Sequence, residues 1–449
     1  MDETIVAVST PPGEGGIGVV RLSGPNSISI AQSIFLSKHP LGTRIRFAEY
    51  GNILVKEQAI DTGLACVFVA PNSYTGEDTV EISCHGSRLI LEMVVNEAIR
   101  LGARSAAPGE FTRRAYMNGR LDLIQAEAVV DLIQASSEKG VTEAYNLAGG
   151  RLSQEILQLK ESLVKVLAYI EVGLDFSDED IDPISRQQIA QQLDDTLKQA
   201  QQLVDTFEVG RRRMQGYMVA LVGQPNVGKS TLLNNLLGEE RAIVTDIPGT
   251  TRDLVEGRTV WGGHSIRLID TAGIRESTDP IEFEGIKRAR RMAEEADLTL
   301  FVIDATQLNF DSEINFLRKL DPEKTIVVLN KIDQCKHLEK SVFCNIPVVV
   351  EISALTGFGR ADLIDTALSI LPHSASSEGV VLTRQRHVEC LNSMIINARN
   401  ALKLLQAGEP DECIAVELQE AHRHLGALLG EDVGEDLLDS IFSDFCIGK

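Results

Sequence analysis

Residues 217–233 read YMVALVGQPNVGKSTLL: an apolar run, a glycine-rich loop and the first turn of a helix. This order is typical of a loop that cradles nucleotide phosphates, because Gly223 and Gly228 let main-chain N–H groups close around the anion. Lys229 would place its charge between the β- and γ-phosphates, and the hydroxyl of Ser230 suits Mg²⁺. The stretch predicts a nucleotide hydrolase or switch; the alternative is a chance glycine-rich turn before a helix.

A second motif, DTAG at residues 270–273, ends the apolar run 265–269. Asp270 is expected to reach Mg²⁺ through water, and the main-chain N–H of Gly273 is expected to meet the γ-phosphate. A chance turn at the first motif would not explain this second one.

Two further motifs are expected to contact the base of the nucleotide. NKID at residues 330–333 follows the apolar run 325–329, and Ser353-Ala354-Leu355 follows the run 348–352. The carboxylate of Asp333 can accept hydrogen bonds from both N1–H and N2–H of guanine, a pair of donors that adenine does not present. The Ser353-Ala354-Leu355 motif fits a loop that packs behind the guanine. Four motifs on four successive strands predict a GTPase.

The residue that positions the attacking water is not obvious. Ile274 follows DTAG where many small GTPases place a water-orienting glutamine, so another side chain must take that role. Glu282 is the nearest carboxylate with a plausible reach on the next segment, and Glu276, Asp279 and Glu284 compete with it.

The segment TDIPGTTRD at residues 245–253 predicts the switch loop that completes the metal sites. We expect Ser230 and Thr251 to bind Mg²⁺. Asn226 in the phosphate loop adds an amide oxygen, and a ring of neutral oxygens suits a large monovalent cation better than Mg²⁺. A potassium ion held by Asn226, Thr245, Ile247 and Thr250 could neutralise charge between the β- and γ-phosphates, the task usually given to an arginine.

The predicted catalytic residues are Glu282 and Lys229, with Cys446 added below. The predicted GTP contacts lie in the phosphate loop, the switch segment and the three later motifs: Asn226, Val227, Gly228, Lys229, Ser230, Thr231, Thr245, Asp246, Ile247, Pro248, Gly249, Thr250, Thr251, Asp270, Thr271, Ala272, Gly273, Asn330, Lys331, Asp333, Ser353, Ala354 and Leu355.

Composition favours an intracellular enzyme of several domains. The 449 residues are 43% hydrophobic and 24% charged, enough for two to four domain cores. Seven cysteines form no CxxC pair, which argues against a zinc site and a disulfide framework and favours a reducing compartment. Neither a membrane span nor a signal or transit peptide is recognisable, so a cytoplasmic location without membrane contact is expected.

The formal net charge of −22 is unfavourable for binding a polyphosphate. Basic residues cluster at 211–213 and at Lys287, Arg288, Arg290 and Arg291. Either cluster could contact RNA, but a solvated helix face or a domain junction is at least as good an interpretation. We therefore expect RNA to be handled jointly with a partner protein.

The types and spacing of residues along the chain predict four segments. Residues 1–118 mix short β-rich runs with glycine and proline turns, as in a compact α+β domain. Apolar residues at helical spacing over 119–215 and again over 376–449 predict two halves of one helical domain. The GTPase segment, 216–375, is then predicted to be an insertion between these halves. The expected fold class is multidomain α/β, with an inserted Ras-like P-loop GTPase domain that has a mostly parallel sheet.

The motifs resemble those of one known family. The order GQPNVGKS, TDIPGTTRD, DTAGIRE, NKID is similar to that of translation-associated GTPases that use a bound potassium ion. The opening stretch 4–21, the stretches SYTGED at 73–78 and LDLIQAEA at 121–128, and the terminal CIGK at 446–449 are similar to the MnmE (TrmE) tRNA-modification GTPases. The resemblance extends over essentially the whole chain.

The resemblance implies that the N-terminal domain binds folate and forms a constant homodimer. Positions matching Arg21, Glu81 and Arg120 hold a reduced folate in that family, such as 5-formyl- or 5,10-methylene-tetrahydrofolate. The family usually has lysine at the third position, so Arg120 keeps the charge but changes its reach. Lys449 is expected to pair with folate carboxylates.

Cys446 leaves two interpretations. A buried structural thiol on the final apolar helix is one. The other is a polar tip near the folate site, where Cys446 takes part in the modification chemistry, because burying the charge of Lys449 would be costly.

The implied function is addition of an aminomethyl-type group, carboxymethylaminomethyl, to C5 of the wobble uridine of certain tRNAs. An MnmG (GidA)-type flavoprotein partner would bring FAD, and GTP hydrolysis would drive conformational change. A ribosome-assembly switch without modification chemistry is one rival, although no KH-type GxxG loop follows the GTPase segment. A regulatory dimer that only scaffolds its partner is another.

Overall fold

The computed structural model describes residues 3–135, 137–175, 185–238, 255–270, 290–307, 309–335, 348–371 and 379–449. These residues form two compact units. The first comprises 1–133, 146–201 and 389–449, and the second comprises 134–145 and 202–388.

The first unit contains a seven-stranded sheet in the order β3-β4-β5-β6-β2-β1-β7. All neighbouring strands are antiparallel except β1 and β7. The strands are β1 Ile5–Val8, β2 Gly15–Ser23, β3 Phe35–Ser37, β4 Glu49–Val55, β5 Gln58–Phe68, β6 Thr79–Gly86 and β7 Arg104–Ser105.

One face of this sheet packs against two helices, α1 Ser27–Ile34 and α2 Arg88–Arg100. Since side chains alternate between the faces of a strand, every second residue points to this core. The buried row Val20, Ile82 and Ala65 shows the pattern across β2, β6 and β5. The residues between them lie on the opposite face, which carries the candidate site described below.

The remaining helices of the first unit are long and amphipathic. Helix α6, Arg151–Asp175, packs along α13, Asp411–Leu429. The predicted apolar series through α6 is buried at Leu152, Ile156, Leu159, Leu163, Val166 and Ile170. The other helices are α3 Glu110–Met117, α4 Leu123–Gln134, α5 Glu138–Ala148, α7 Arg186–Asp205, α12 Gln385–Ala407 and α14 Glu435–Ser443, of which α4, α5, α7 and α12 lie partly in the second unit.

The second unit contains a six-stranded sheet in the order β13-β12-β11-β8-β10-β9. All pairs are parallel except β10 with the edge strand β9. The strands are β8 Tyr217–Val222, β9 Val255–Trp261, β10 His264–Asp270, β11 Leu298–Asp304, β12 Thr325–Asn330 and β13 Val349–Glu351. The predicted apolar runs before the four motifs are confirmed as strands β8, β10, β12 and β13, but these strands are not successive, because β9 and β11 lie between them.

Helices cover both faces of this sheet. They include α8 Phe207–Gln215, α9 Lys229–Leu237, α10 Asp311–Leu317 and α11 Arg360–Ile370, with helical residues also at 290–295 and 3₁₀ turns at Pro322–Lys324 and Ile332–Gln334. Two apolar cores result, one on each side of β8 and β11. The two sheets and their helices confirm the expected multidomain α/β class with a mostly parallel GTPase sheet.

The predicted domain boundaries after residues 118, 215 and 375 stay predictions, because each compact unit combines several of those segments. None of the described helices combines the length and apolar character that spanning a bilayer requires.

Candidate functional site

The phosphate loop lies between β8 and α9, as its sequence predicts. Gly228 is left-handed (φ 97°) at the N-terminus of α9. A Cβ on Gly223 (φ 155°) would lie 2.3 Å from the carbonyl oxygen of Val302, so only glycine fits this close approach to β11. With this loop backbone, the main-chain N–H groups at the start of α9 are free of side-chain obstruction from Gly223 and Gly228. The N-terminus of a helix in this setting is suited to bind an anion.

Lys229 is only 4% exposed, and its ammonium group donates to two carbonyl oxygens of the same loop, Gly223 at 2.8 Å and Gln224 at 2.7 Å. Burial lowers the pKa of Lys229, while the nearby carboxylate of Asp270 opposes this. A phosphate bound at the loop would place further negative charge beside the buried ammonium group and would favour its charged form.

The Ser230 hydroxyl donates to Oδ2 of Asp270 at 2.8 Å. Ser230 is the second residue of α9 and Asp270 is the last residue of β10, and the parallel pairing of β8 with β10 brings these ends together. A hydroxyl ligand from Ser230, with a carboxylate beside it that can reach the ion through water, suits Mg²⁺ next to a phosphate loop.

The base-binding motif starts at the end of β12. The amide of Asn330 donates to the carbonyl oxygen of Val227 at 2.8 Å and accepts the Ala354 N–H at 2.9 Å. One buried side chain thus joins the phosphate loop to the Ser353-Ala354-Leu355 loop. Asn235 of α9 donates to the carbonyl oxygen of Ala354, which further fixes that loop.

Lys331 is left-handed (φ 65°), and its ammonium group contacts the carbonyl oxygen of Asn226 at 2.9 Å and Asp304 Oδ2 at 2.6 Å. Although burial raises the pKa of Asp304, hydrogen bonds from Lys331 and Thr306 bring it below its usual value. Asp333, in the 3₁₀ turn that follows, is exposed. Its carboxylate is therefore accessible to a base.

The structure thus brings together the phosphate-loop, Asp270, NKID and SAL residues in one unit. Asn226 is exposed and left-handed (φ 64°), Val227 is buried, and Thr231 and Leu355 are exposed. Thr245, Asp246, Ile247, Pro248, Gly249, Thr250, Thr251, Thr271, Ala272, Gly273 and Glu282 lie outside the described residues.

A second set of predicted residues lies on the sheet face opposite α1 and α2, where Phe111 of α3 packs on the buried Ile5 and Ala7. Arg21 of β2 is the cross-strand partner of Glu81 of β6, and its Nε donates to Glu81 Oε1 at 2.9 Å. The guanidinium lies over the rings of Tyr74 and Phe111, 5.5 and 5.6 Å from their centroids. Cys66 continues this row on β5, where burial and the charge of Glu81 raise the pKa of its thiol.

Arg120 is exposed and follows the end of α3. A Cβ on Gly76 would lie 3.3 Å from Arg120 Cγ, so this side chain packs beside the SYTGED stretch. Asn118 donates to the carbonyl oxygen of Thr75 at 2.7 Å and holds the two loops together. The described contacts place Arg120 next to the loop that carries Tyr74.

The C-terminal tip is docked on the same unit. Ile447 forms a bridge with Pro108, and the Ser9 hydroxyl donates to the carbonyl oxygen of Gly448 at 3.1 Å. Gly448 is left-handed (φ 96°), and a Cβ there would lie 2.1 Å from the carbonyl oxygen of Val8. Cys446 is exposed. Its thiol is not a buried part of the core that Phe442 and Phe445 form with α4.

Sequence patterns did not indicate the residues that support these sites. Arg114 is 1% exposed and joins Glu77 at 2.9 Å to Glu110 at 3.0 Å. It therefore ties the SYTGED stretch to the start of α3, next to Phe111. Glu110 lies one helical turn before Arg114, but no local motif signals the contact with Glu77, which is 37 residues away in sequence. Asp304 was similarly missed, although its position at the end of β11 was a usable signal.

The arginine cluster 211–213 has a structural role within the second unit. Arg212 Nε donates to the buried Asp297 at 2.7 Å, and Arg213 pairs with Glu143 at 3.0 Å. Arg290 and Arg291 pair with glutamates one helical turn further on. For these described residues, the contacts favour the interpretation as helix faces and junctions, whereas Lys287 and Arg288 lie outside the described residues.

Two family models match the chain. One, of the MnmE helical domain, matches residues 123–446, and the other, of the N-terminus of the GTP-binding protein TrmE, matches residues 4–120.

Similar full-length proteins carry the name tRNA modification GTPase MnmE. The protein of Clostridioides difficile is 40% identical over 463 residues, that of Geotalea uraniireducens 41% over 459, and that of Moorella thermoacetica 42% over 465. Each alignment covers 100% of this chain and 100% of the relative.

Proposed function

The chain belongs to the MnmE family of tRNA-modification GTPases, and from this we propose that it hydrolyses GTP while taking part in tRNA wobble-uridine modification. The observation that carries the proposal is the single hydrogen-bonded set running from Asp270 through Ser230 and the phosphate loop to Asn330. It offers one site for Mg²⁺, phosphates and base. The cytoplasm is the proposed location.

We propose that hydrolysis depends on potassium. The exposed Asn226 supports this, because its left-handed backbone places it at the outer edge of the phosphate loop. Thr245, Ile247 and Thr250 would complete the cation site, Thr251 would join Ser230 at Mg²⁺, and Glu282 would orient the attacking water. Lys229 would hold the β- and γ-phosphates.

We further propose that the Arg21–Glu81 row binds a reduced folate, which would supply the one-carbon unit. The chemistry of the donors fits the group: Glu81 can accept from pterin N–H groups, and Arg21 and Arg120 can donate to its oxygens. Tyr74 and Phe111 supply aromatic surfaces beside them. Lys449 would pair with folate carboxylates, and Cys446 would take part in the modification chemistry.

The part of this sheet face on β3, β4 and β5 also supports the proposed homodimer. Tyr50 and Leu64 are direct cross-strand partners on that face and are 67% and 45% exposed. The nearby Leu36 is 59% exposed. Exposed apolar side chains that lie together in this way favour burial against another surface. The other proposed partners are tRNA and an MnmG-type protein that carries FAD.

The deciding experiment compares wobble-uridine modification in cell extract with and without the protein. Loss of carboxymethylaminomethyl uridine in tRNA, restored by the purified full-length chain, is the expected result. Restoration by the Lys229→Ala variant would contradict a role for GTP hydrolysis. Normal modification in the depleted extract would reject the proposed function and leave a ribosome-assembly switch.

A further inference from the structure

The loop between β3 and β4, residues 38–48, has no carboxylate although the chain as a whole is acidic. The chain holds 65 Asp and Glu among 449 residues, yet none occurs between Glu14 and Glu49. Within the loop, Lys38, Arg44 and Arg46 are positive. A run of this length without a carboxylate departs clearly from the average of the chain.

The wider N-terminal segment has the same character. Residues 1–120 contain eleven Lys and Arg and twelve Asp and Glu, a net charge of −1, whereas the whole chain carries −22. Nearly all of the excess negative charge therefore lies in the other segments. A polyanion that approaches this chain is repelled least at the N-terminal segment.

The loop exposes arginine and aromatic side chains together. Arg44 lies over the ring of Phe47, 5.1 Å from its centroid, and the two side chains are 47% and 49% exposed. Arg46 is exposed and uses one guanidinium N–H on the carbonyl oxygen of Asn72. An arginine has five N–H donors, so Arg46 keeps others for a further acceptor.

The loop is held in place although its tip is exposed. Leu41 is 3% exposed and belongs to the core beneath the sheet. The main-chain N–H of Arg46 donates to the carbonyl oxygen of Val67 at 2.8 Å, and Thr43 bonds to Pro40 through its hydroxyl at 2.7 Å. The arginine and aromatic side chains are thus presented from a fixed backbone, which reduces the entropy lost on binding.

We propose that the β3–β4 loop binds a single-stranded RNA segment, the anticodon loop of the tRNA substrate. This inference rests on the proposed function. Arginines donate to phosphate oxygens, and unpaired bases stack on exposed aromatic rings, which is the usual chemistry of single-stranded RNA recognition. Arg44 and Arg46 contact phosphates, and a base stacks on Phe47. The Glu49 carboxylate lies 3.6 Å from Arg44, and because a guanidinium has five N–H donors, Arg44 can bind a phosphate while it keeps this ion pair.

The test measures binding of an unmodified anticodon stem-loop RNA to the full-length chain by fluorescence anisotropy over a salt series. The variants are Arg44→Gln with Arg46→Gln, and Phe47→Leu, which keeps an apolar side chain. Arg88→Gln is the matched control, because Arg88 is 85% exposed in the same unit but outside the loop. A blunt RNA duplex of equal length separates single-strand binding from general charge attraction.

We expect the double arginine variant to lower affinity and to reduce the salt slope by about 0.7 for each phosphate that it no longer neutralises. Phe47→Leu should weaken stem-loop binding by about tenfold and leave duplex binding unchanged.

Loop variants that bind like the Arg88 control would overturn the inference while leaving the proposed function intact. A wild-type chain that does not bind the stem-loop would overturn the inference, and unchanged modification in depleted extract would separately reject the function. Loop variants that bind RNA normally but sediment as monomers would overturn it too and would assign the loop to the interface between two copies.

Discussion

The main-chain N–H of Phe111 donates to the main-chain oxygen of Lys449 at 3.2 Å. The ring of the same phenylalanine lies under the guanidinium of Arg21. One buried residue therefore contacts both the C-terminal residue and the Arg21–Glu81 pair. The last four residues are fixed beside the candidate folate row, although more than 300 residues separate them in sequence.

The first prediction concerns Glu81. Glu81→Ala should weaken folate binding by about 10- to 100-fold, since it removes charge-assisted hydrogen bonds to the pterin. The side chains of Arg21 and Glu81 are 15% and 31% exposed, so the variant leaves a largely buried guanidinium without this partner, and the free energy of unfolding should fall by about 1–3 kcal/mol. Calorimetric titration with 5-formyl-tetrahydrofolate measures the affinity. Glu92→Ala, at an exposed ion pair of the same unit, is the control, and equal affinities in the two variants would contradict the site.

The second prediction concerns base selection. Asp333→Asn should weaken GTP binding by about 100-fold or more and favour xanthosine triphosphate, because the amide donates where guanine also donates. Asp365→Asn changes another exposed carboxylate of the same unit and should have no effect. Competition binding with a labelled GTP analogue measures both affinities. Unchanged GTP affinity in the Asp333 variant would show that another residue reads the base.

The third prediction concerns the cation and the water. GTP hydrolysis should rise steeply with K⁺ and little with Na⁺, and Glu282→Ala should slow turnover by about 100-fold without changing nucleotide affinity. Asp365→Ala, at an exposed carboxylate of the same unit, is the control. Phosphate release in KCl and NaCl at equal ionic strength measures the rates. Equal rates in the two salts would remove the cation, and a fully active Glu282 variant would leave Glu276, Asp279 or Glu284 as the water-positioning residue.

The fourth prediction follows from the lowered pKa of Lys229. Nucleotide phosphates favour the charged ammonium group, so the pKa of Lys229 should rise when GTP binds. At pH values between the lowered pKa of Lys229 in the free protein and its higher pKa in the complex, GTP binding takes up a proton. In this range the affinity for GTP falls as the pH rises, by up to about tenfold per pH unit. Calorimetry over a pH series in buffers of different ionisation enthalpy counts the protons. Zero uptake over the whole range would show that Lys229 stays charged in the free protein.

Sequence patterns predict the elements of this fold better than its contacts. Strands β8, β10 and β12 follow from apolar runs that end in phosphate- or base-binding motifs, because each signal is local. The apolar series through Leu203 and Phe207 suggests one helix, but the structure divides it at Thr206 into α7 and α8. The Thr206 hydroxyl binds the carbonyl oxygen of Leu203 and the main-chain N–H of Leu382, a partner that no local pattern identifies.

The same limit applies to the candidate site. Arg21 and Glu81 become neighbours through strand register, which depends on how the whole sheet packs. The family resemblance predicts both residues as part of a folate site. The neighbouring rings of Tyr74 and Phe111 and the buried Arg114 are found only from the structure. Asp270 and Ser230 were predictable because parallel strands bring their carboxyl ends to one edge of the sheet.

The last prediction concerns Cys446. Cys446→Ser should abolish tRNA modification while leaving GTP hydrolysis and thermal unfolding unchanged, because its thiol is exposed and the tip is held by main-chain contacts of its neighbours. Cys413→Ser, at another exposed thiol of the same unit, should be fully active. Gly448→Ala should displace the whole tip, because a Cβ there meets the carbonyl oxygen of Val8, and should weaken folate binding as well as modification. Mass spectrometry of tRNA nucleosides measures modification in all three variants. A Cys446→Ser chain that modifies tRNA at the normal level would exclude the thiol from the chemistry and leave the tip a structural role only.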